Sequence, residues 1–396
     1  EIYKAPSAAD GKARIMLNID NSSFMAPLPS GSQSPGSIKE DYANGMCSND
    51  YLTQTVSRTF NGITYTDNEY YCAIPAPVPV NANNLNKAAI ESSCDLAGST
   101  YKCFDRYTMV RRSLYAVVNS PDLGDKVSLG IGLFPLYGST VNQRPVPLGW
   151  YKVDPSDNSK LINCPSGTVD SSTGCTYGRN VLNARIHNIA ASMGNVNDSK
   201  VVPVAKAYGV AANTLLTNEN GGDLAADQCS GYGIFSLTAG IPVHEEMNVA
   251  QSSVNSVLQS GFQLSSTDCP TTGSLADGRA WKCVGKAADL LAASKAKIAM
   301  PVKSVVVSFG TGFAFSNHLS DYDPLLTTAQ MIQRVTDEIA ATATNNEKEL
   351  FNNKGAAAIS GVKGGGGYYS AKDTNALTDT IKKFIADVAK ADIPYL

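Results

Sequence analysis

Apolar runs alternating with helical patterns organise this chain. Ala13–Ile19 (ARIMLNI) is a nearly continuous apolar run closed by Asp20, the pattern of a strand buried on both faces. Arg106–Asn119 places Val110, Leu114, Val117 and Val118 on one helical face. Lys126–Phe134 (KVSLGIGLF) predicts a second strand, and Arg179–Met193 a helix carrying Val181, Ile186 and Ile189. Pro203–Leu216 predicts a helix opened by a proline in its first turn. Gly233–Thr238 and Lys303–Phe309 predict a third and a fourth strand, with a helix at Trp281–Leu291 between them. Thr327–Ala341 and Leu377–Val388 predict helices, and in the latter Leu377, Ile381, Phe384, Ile385 and Val388 share a face. The fold class this predicts is α/β, a doubly wound, mostly parallel sheet flanked by helices. Ligands of such folds bind beyond the carboxyl ends of the strands, where the strand order reverses. The loops after Ile19, after Thr238 and before Pro203 are therefore the places to search.

Two stretches break the alternation. Residues 26–104 read as loop-rich, with four cysteines and the proline-rich Pro75–Pro79 (PAPVP). Residues 135–178 hold Cys164, Cys175, several glycines and a hairpin pattern around Leu148–Val153. Loops of this length are uncommon inside a domain unless functional or cross-linked. Both are read as disulfide-pinned insertions, at 26–104 and 135–178, in one α/β domain.

Composition narrows the classes. The chain has 396 residues, a formal net charge of −3 and only 17% charged side chains. That argues against the basic surface a nucleic-acid partner requires and against a charge-rich disordered chain. No apolar run reaches the roughly 18 residues of a membrane span, so no transmembrane segment is expected. The polar opening at Glu1 fits a secretory product whose targeting peptide has been removed. Nine cysteines occur without a CxxC pair, beside only three histidines, which argues against a structural zinc site. The cysteines lie mostly in Gly/Ser/Thr/Asn-rich stretches, as disulfides of an oxidising compartment do. The expected pairs are Cys94–Cys103, Cys164–Cys175 and Cys269–Cys283, with Cys47–Cys72 as a fourth. Cys229 is left over, read as an inert core thiol.

The segment Asn18–Met25 (NIDNSSFM) carries the main chemical signal. Taken alone, Asp20 and Ser22 make an Asx-type turn that satisfies backbone donors at a strand end. The same residues resemble the Asp-x-Ser-x-Ser metal-binding turn of von Willebrand factor A domains. In that family the turn, a threonine on a second loop and an aspartate on a third hold Mg²⁺, Mn²⁺ or Ca²⁺. Hard ions of this kind need converging oxygen ligands, and an open coordination position then takes a partner carboxylate.

A more specific resemblance spans nearly the whole chain. Cys229–Val243 (CSGYGIFSLTAGIPV), Trp281–Ala288 (WKCVGKAA), Val305–Phe313 (VVVSFGTGF) and Gly364–Ser370 (GGGGYYS) resemble, in order and spacing, segments of the PilC/PilY family. That family comprises adhesins associated with type IV pili. The resemblance implies a single von Willebrand factor A-like domain over 1–396, the N-terminal region of a non-enzymatic pilus-associated adhesin. It implies as partners a host-cell or surface receptor, pilus subunits and the protein's own C-terminal region. It implies an extracellular place at the pilus tip or outer-membrane surface of a Gram-negative bacterium, reached through the periplasm. Roles in attachment, pilus biogenesis and twitching motility follow from it.

The departures from the metal-site pattern are equally specific. Only Asp20 and Ser22 match it, while Phe24, Val202 and Ala239 stand where oxygen ligands are expected. Oxygen donors nearby offer a rebuilt set, so the candidate ligands of a divalent Mg, Mn or Ca ion are Asp20, Ser22, Asp198, Ser199, Thr238 and Glu245, with Glu246 adjacent. A second reading is a metal-free scaffold whose insertions bind. A third is a secreted hydrolase around His244 and Glu245, against which no Gly-x-Ser-x-Gly or His-Glu-x-x-His motif occurs. Asp154–Asp157 and Asn218–Asp223 read as turns, and His187 as a surface or satisfied helix residue.

Overall fold

A computed structural model describes residues 13–21, 25, 52–79, 87, 90–91, 93–125, 127–134, 143–164, 171–192, 203–217, 231–238, 246–272, 279–309, 368–371 and 373–389. The strands in chain order are β1 (Ala13–Asp20), β2 (Leu52–Phe60), β3 (Ile63–Pro75), β4 (Asp95–Ala97), β5 (Thr100–Phe104), β6 (Val127–Phe134) and β7 (Gln143–Pro147). They continue with β8 (Trp150–Asp154), β9 (Asp157–Asn163), β10 (Thr176–Tyr177), β11 (Gly231–Thr238), β12 (Val302–Phe309) and β13 (Tyr368–Ala371). The helices are α1 (Arg106–Val118), α2 (Gly178–Ser192), α3 (Val204–Leu216), α4 (Met247–Asn255), α5 (Arg279–Ala292) and α6 (Thr374–Ala389).

Six strands form the main sheet, in the order β13-β12-β11-β1-β6-β7. All neighbours are parallel except β7, which runs antiparallel at one edge. The first strand thus sits centrally, and the order reverses between β1 and β11. Alternation along β1 divides the core. Ile15, Leu17 and Ile19 pack with the apolar faces of α1, α2 and α6. Met16 packs on the opposite face with α3, α4 and α5. A strand covered on both faces favours apolar residues throughout, which explains the nearly continuous apolar runs of β1 and β6. At Gly231 an added Cβ would overlap the carbonyl oxygen of Val388, so glycine is what lets α6 close over the start of β11. No helix among the described residues is long and apolar enough to cross a membrane.

The predicted strands and helices among the described residues fall where expected, with ends that agree to within about three residues. Pro203 is the N-cap of α3 rather than a residue inside it. The helix predicted at Thr327–Ala341 lies outside the described residues. The loop-rich reading of 26–104 does not hold for 52–104. There β2, β3, β5 and β4 form a four-stranded antiparallel sheet. Its overlooked signal is Asn61-Gly62, a two-residue turn joining Phe60 to Ile63. Both residues have positive φ, 49° and 80°, the conformation that matches the twist of a tight hairpin. The second stretch also has more structure than expected. Its first strand, β7, is an edge of the main sheet, and its hairpin turns at Pro155-Ser156, between β8 and β9.

The three predicted short disulfides are present, Cys94–Cys103, Cys164–Cys175 and Cys269–Cys283. In the chain-entropy picture each contributes roughly 3 kcal/mol by restricting the unfolded chain. Cys72 is also disulfide-bonded, to a partner outside the described residues. Cys47 and Cys229 lie outside them.

A buried charge cluster docks the small sheet onto the helices. Asp67 and Glu69 sit side by side on the inward face of β3, both buried. Asp67 Oδ1 lies 2.8 Å from His187 Nδ1 on α2 and 3.7 Å from Arg111 Nη1 on α1. Glu69 accepts two hydrogen bonds from Arg112, at 2.7 and 3.0 Å, one from Gln54 at 2.9 Å and one from Arg58. Burial pushes the Glu69 carboxyl up, but Arg112, Gln54 and Arg58 outweigh it and hold it down to about 2. Asp105, the N-cap of α1, accepts from the Thr108 amide at 2.8 Å. Its own amide donates to the Tyr70 carbonyl of β3 at 3.1 Å. Here burial prevails over the Thr108 bonds and the Arg111 charge, and the carboxyl is pushed up to about 7.

The two shifts act in opposite pH windows. Glu69 contributes stability that is lost only as pH falls from its ordinary range toward about 2. Asp105 keeps its proton in the native state where the unfolded chain has lost it. Its contribution is therefore full below about pH 4 and is lost as pH rises through about 7. Asp105→Asn keeps the cap oxygen and removes the charge. The urea midpoint of the wild type should drop from pH 5 to pH 8 by an amount that the variant does not show.

Candidate functional site

The reversal point between β1 and β11 ends in an acid and a hydroxyl. Asp20 closes β1 and Thr238 closes β11, and both are buried, Asp20 completely. Thr238 Oγ1 donates to Asp20 Oδ2 at 3.2 Å. One step deeper, two residues back along each strand, Asn18 Nδ2 reaches Ser236 Oγ at 3.5 Å. The Asn18 side-chain carbonyl oxygen is buried without a hydrogen-bond partner. Period-2 alternation puts Asn18 and Asp20 on one face of β1, and Ser236 and Thr238 on the matching face of β11. The face shared with the α3–α5 layer thus changes from apolar at Met16, Tyr232 and Ile234 to polar toward its carboxyl end.

The residue after Asp20 is fixed on the other side. The Asn21 amide donates to the Phe134 carbonyl at the end of β6, at 2.5 Å. Asn21 Oδ1 accepts from the Tyr107 hydroxyl of α1 at 2.8 Å. The same hydroxyl lies 3.1 Å from the Ile189 carbonyl of α2. These contacts hold the chain as it leaves β1, so the direction of the Asp20 carboxylate is set from both sides. Glu246, at the N-cap of α4, has its carboxylate 2.5 Å from Lys206 Nζ on α3. It is half exposed and already paired.

Of the six predicted ligands the structure brings Asp20 and Thr238 together. Ser22, Asp198, Ser199 and Glu245 lie outside the described residues, as do Phe24, Val202, Ala239 and His244. Asn18 and Ser236 were missed by sequence reasoning. The signal was available, since each is a polar interruption two positions before a candidate residue in an otherwise apolar strand. The donor set at this edge is a carboxylate, hydroxyls and an amide oxygen without a partner, which fits a hard cation in kind. It holds one carboxylate, and the described residues contain no group of three or more His, Cys, Asp or Glu able to hold a metal ion.

The other candidates have structural roles. His187 is half exposed and held by Asp67, and its ring lies 5.7 Å from that of Tyr65. Asp154 forms the expected turn, with Oδ1 accepting from the Ser156 amide at 2.8 Å and the Ser156 hydroxyl at 2.6 Å.

No protein-family model matches this chain, and no curated protein matches it either. Among solved structures it is similar to the PilB minor pilin from Streptococcus sanguinis, at TM-score 0.36 and 13% identity, over 98% of this chain and 63% of that one. A point mutant of that pilin gives 0.33 and 13%, over 96% and 62%. The pilus adhesin SpaC from Lactobacillus rhamnosus GG gives 0.32 and 12%, over 91% and 37%. The chain spans less than two thirds of the length of each of these proteins. Likeness at this level is too low to establish a shared fold.

Thr238→Val removes the hydroxyl that serves Asp20 and leaves a fully buried carboxylate oxygen with one donor fewer. The expected loss is about 1–3 kcal/mol in urea unfolding. Thr238→Ser, which keeps the donor, should recover most of it.

Proposed function

We propose that this chain is a non-enzymatic binding region, the N-terminal von Willebrand factor A-like part of a PilC/PilY-type pilus-associated adhesin. The observation that carries this reading is the Asp20–Thr238 pair, which bridges the reversal point of a doubly wound sheet. Open α/β sheets bind ligands at that point, and Asp20 is also, with Ser22, one of the two residues that match the metal-binding turn in the sequence resemblance. The disulfides fit an oxidising, extracellular setting.

In this reading a divalent ion is held by Asp20, Thr238 and Ser22, with Asp198, Ser199 and Glu245 as further ligands. The ion supplies an open coordination position for a carboxylate of the receptor. The chain's own residues orient and bury that edge. The receptor lies on a host cell or another surface, and pilus subunits and the protein's C-terminal region are the assembly partners. Pilus-tip or outer-membrane placement in a Gram-negative bacterium, pilus biogenesis and twitching motility belong to the same proposal.

A second reading is a metal-free scaffold in which the 26–104 insertion, which includes the sheet at 52–104, carries the binding. Two observations favour it: Asp20 already has a protein donor, and Glu246 is already paired with Lys206. Calorimetric titration with Mg²⁺, Mn²⁺ and Ca²⁺ separates the two. The metal reading expects saturable heat in the wild type and its loss in Asp20→Ala. Equal heats in both proteins, or none, would leave the scaffold reading. Attachment of protein-coated beads to cells under flow tests adhesion independently of the metal.

A further inference from the structure

A cleft of about 410 Å³ opens where three parts of the chain meet, far in sequence from Asp20 and Thr238. The tip of the β2–β3 hairpin contributes Phe60 and Asn61, the turn after α1 contributes Asn119 and Asp125, and Tyr177 and Arg179 come from β10 and α2. Its volume is that of a small-molecule site, roughly 300–1,000 Å³, but such sites are usually apolar. This one is lined mainly by amides, a carboxylate, hydroxyls and a guanidinium, so it suits a polar ligand.

Charge narrows the ligand further. The charged side chains of the lining are Asp125 and Arg179, 3.6 Å apart, so the site is close to neutral. Arg179 is occupied by the backbone. It donates to the carbonyls of Val118, Ser120 at 3.3 Å and Leu123 at 2.7 Å, which caps the end of α1. It acts as a rigid wall rather than an anion clamp. A single carboxylate does not make a cation site, and an anion would meet that carboxylate. A neutral polar molecule remains.

The groups facing the cleft match a molecule built of hydroxyls on an apolar frame. Asp125 is 68% exposed at its side chain and offers two acceptor oxygens. Asn61 gives one amide hydrogen to Asn180 Oδ1 at 3.1 Å and keeps a second donor and its carbonyl for a ligand. Tyr177 is part of the lining, and its ring packs against Trp150 with centroids 5.0 Å apart, so its position is set. The frame is already rigid. The Asn61-Gly62 turn fixes the hairpin tip, Asn119 and Asn183 exchange amide hydrogen bonds at 2.9 and 3.0 Å, and Cys164–Cys175 secures the start of the strand that carries Tyr177. A site built in advance loses little entropy when it binds.

We propose that this cleft binds a neutral saccharide, one or two rings of a surface glycan. The Tyr177 ring stacks on the apolar face of a sugar, and Asp125 and Asn61 take its hydroxyls. The proposal gives the adhesive reading a ligand class, and rests on that reading only for its biological setting.

The test is a glycan array carrying neutral galactose-, glucose-, mannose- and N-acetylhexosamine-terminated oligosaccharides beside sialylated and sulfated ones. The wild type should retain neutral glycans. Tyr177→Ala and Asp125→Ala should each bind them about tenfold more weakly. Asp125 is exposed, so its variant keeps the test valid if Tyr177→Ala unfolds, which melting curves report. Absence of neutral-glycan binding, retention of sialylated or sulfated glycans alone, or undiminished binding by Asp125→Ala overturns the proposal. Array binding by a protein whose beads fail to attach to cells would instead overturn the adhesive reading and leave the saccharide site standing.

Discussion

Burial of β1 on both faces is the constraint on which the rest of the structure depends. Parallel neighbours cover both of its edges, β6 and β11, and helices cover both faces. Every residue facing those layers must be apolar or must find a partner. Ile15, Leu17, Ile19 and Met16 meet the first condition. Asp20 meets the second through Thr238, and Asn18 meets it only in part, through a long contact to Ser236. The same burial that makes the strand a core element makes its terminal carboxylate chemically distinctive.

The small sheet at 52–104 depends on a different balance. Its inward face carries Asp67 and Glu69, which are too costly to bury alone. Arg58 from β2 and Arg111 and Arg112 from α1 surround them, with His187 from α2 beside Asp67. Removing one partner of such a cluster leaves an uncompensated buried charge, so the cluster specifies one docking geometry. That geometry brings the hairpin tip to Asn180 of α2 and beside the turn after α1, and thereby creates the cleft. The outer face of the hairpin stays polar, with Thr55 bonded to Asn68, Ser57 to Thr66 and Thr59 to Thr64.

Legibility along the chain follows the physics of each element. The two-face apolar runs of β1, β6, β11 and β12 stand out because burial on both sides leaves no polar alternative. The helix faces of α1 and α6 stand out because one side must match that sheet. The hairpin of β2 and β3 was missed although Asn61-Gly62 marks its turn. Its polar outer face and charged inner face hide the alternation that apolar strands show. Pairing near neighbours in the chain anticipated the three short disulfides, since a short loop costs little entropy to close, although spacing alone does not fix connectivity. Asp20 was legible as the acid at a strand end, and Thr238 as one of several oxygen donors on another loop.

The sequence by itself determined the α/β class, the buried apolar strands and the acid at the end of β1, and it suggested the short disulfide pairs. Those features rest on local periodicity and on near neighbours in the chain. Only the tertiary structure decided that Thr238 is the hydroxyl that meets Asp20, 218 positions away, and that Asn61, Asp125 and Tyr177 share one cleft. Strand order sets the first, and the docking of a charged sheet sets the second. Both depend on which distant surfaces bury each other, and no local pattern in the chain records that choice.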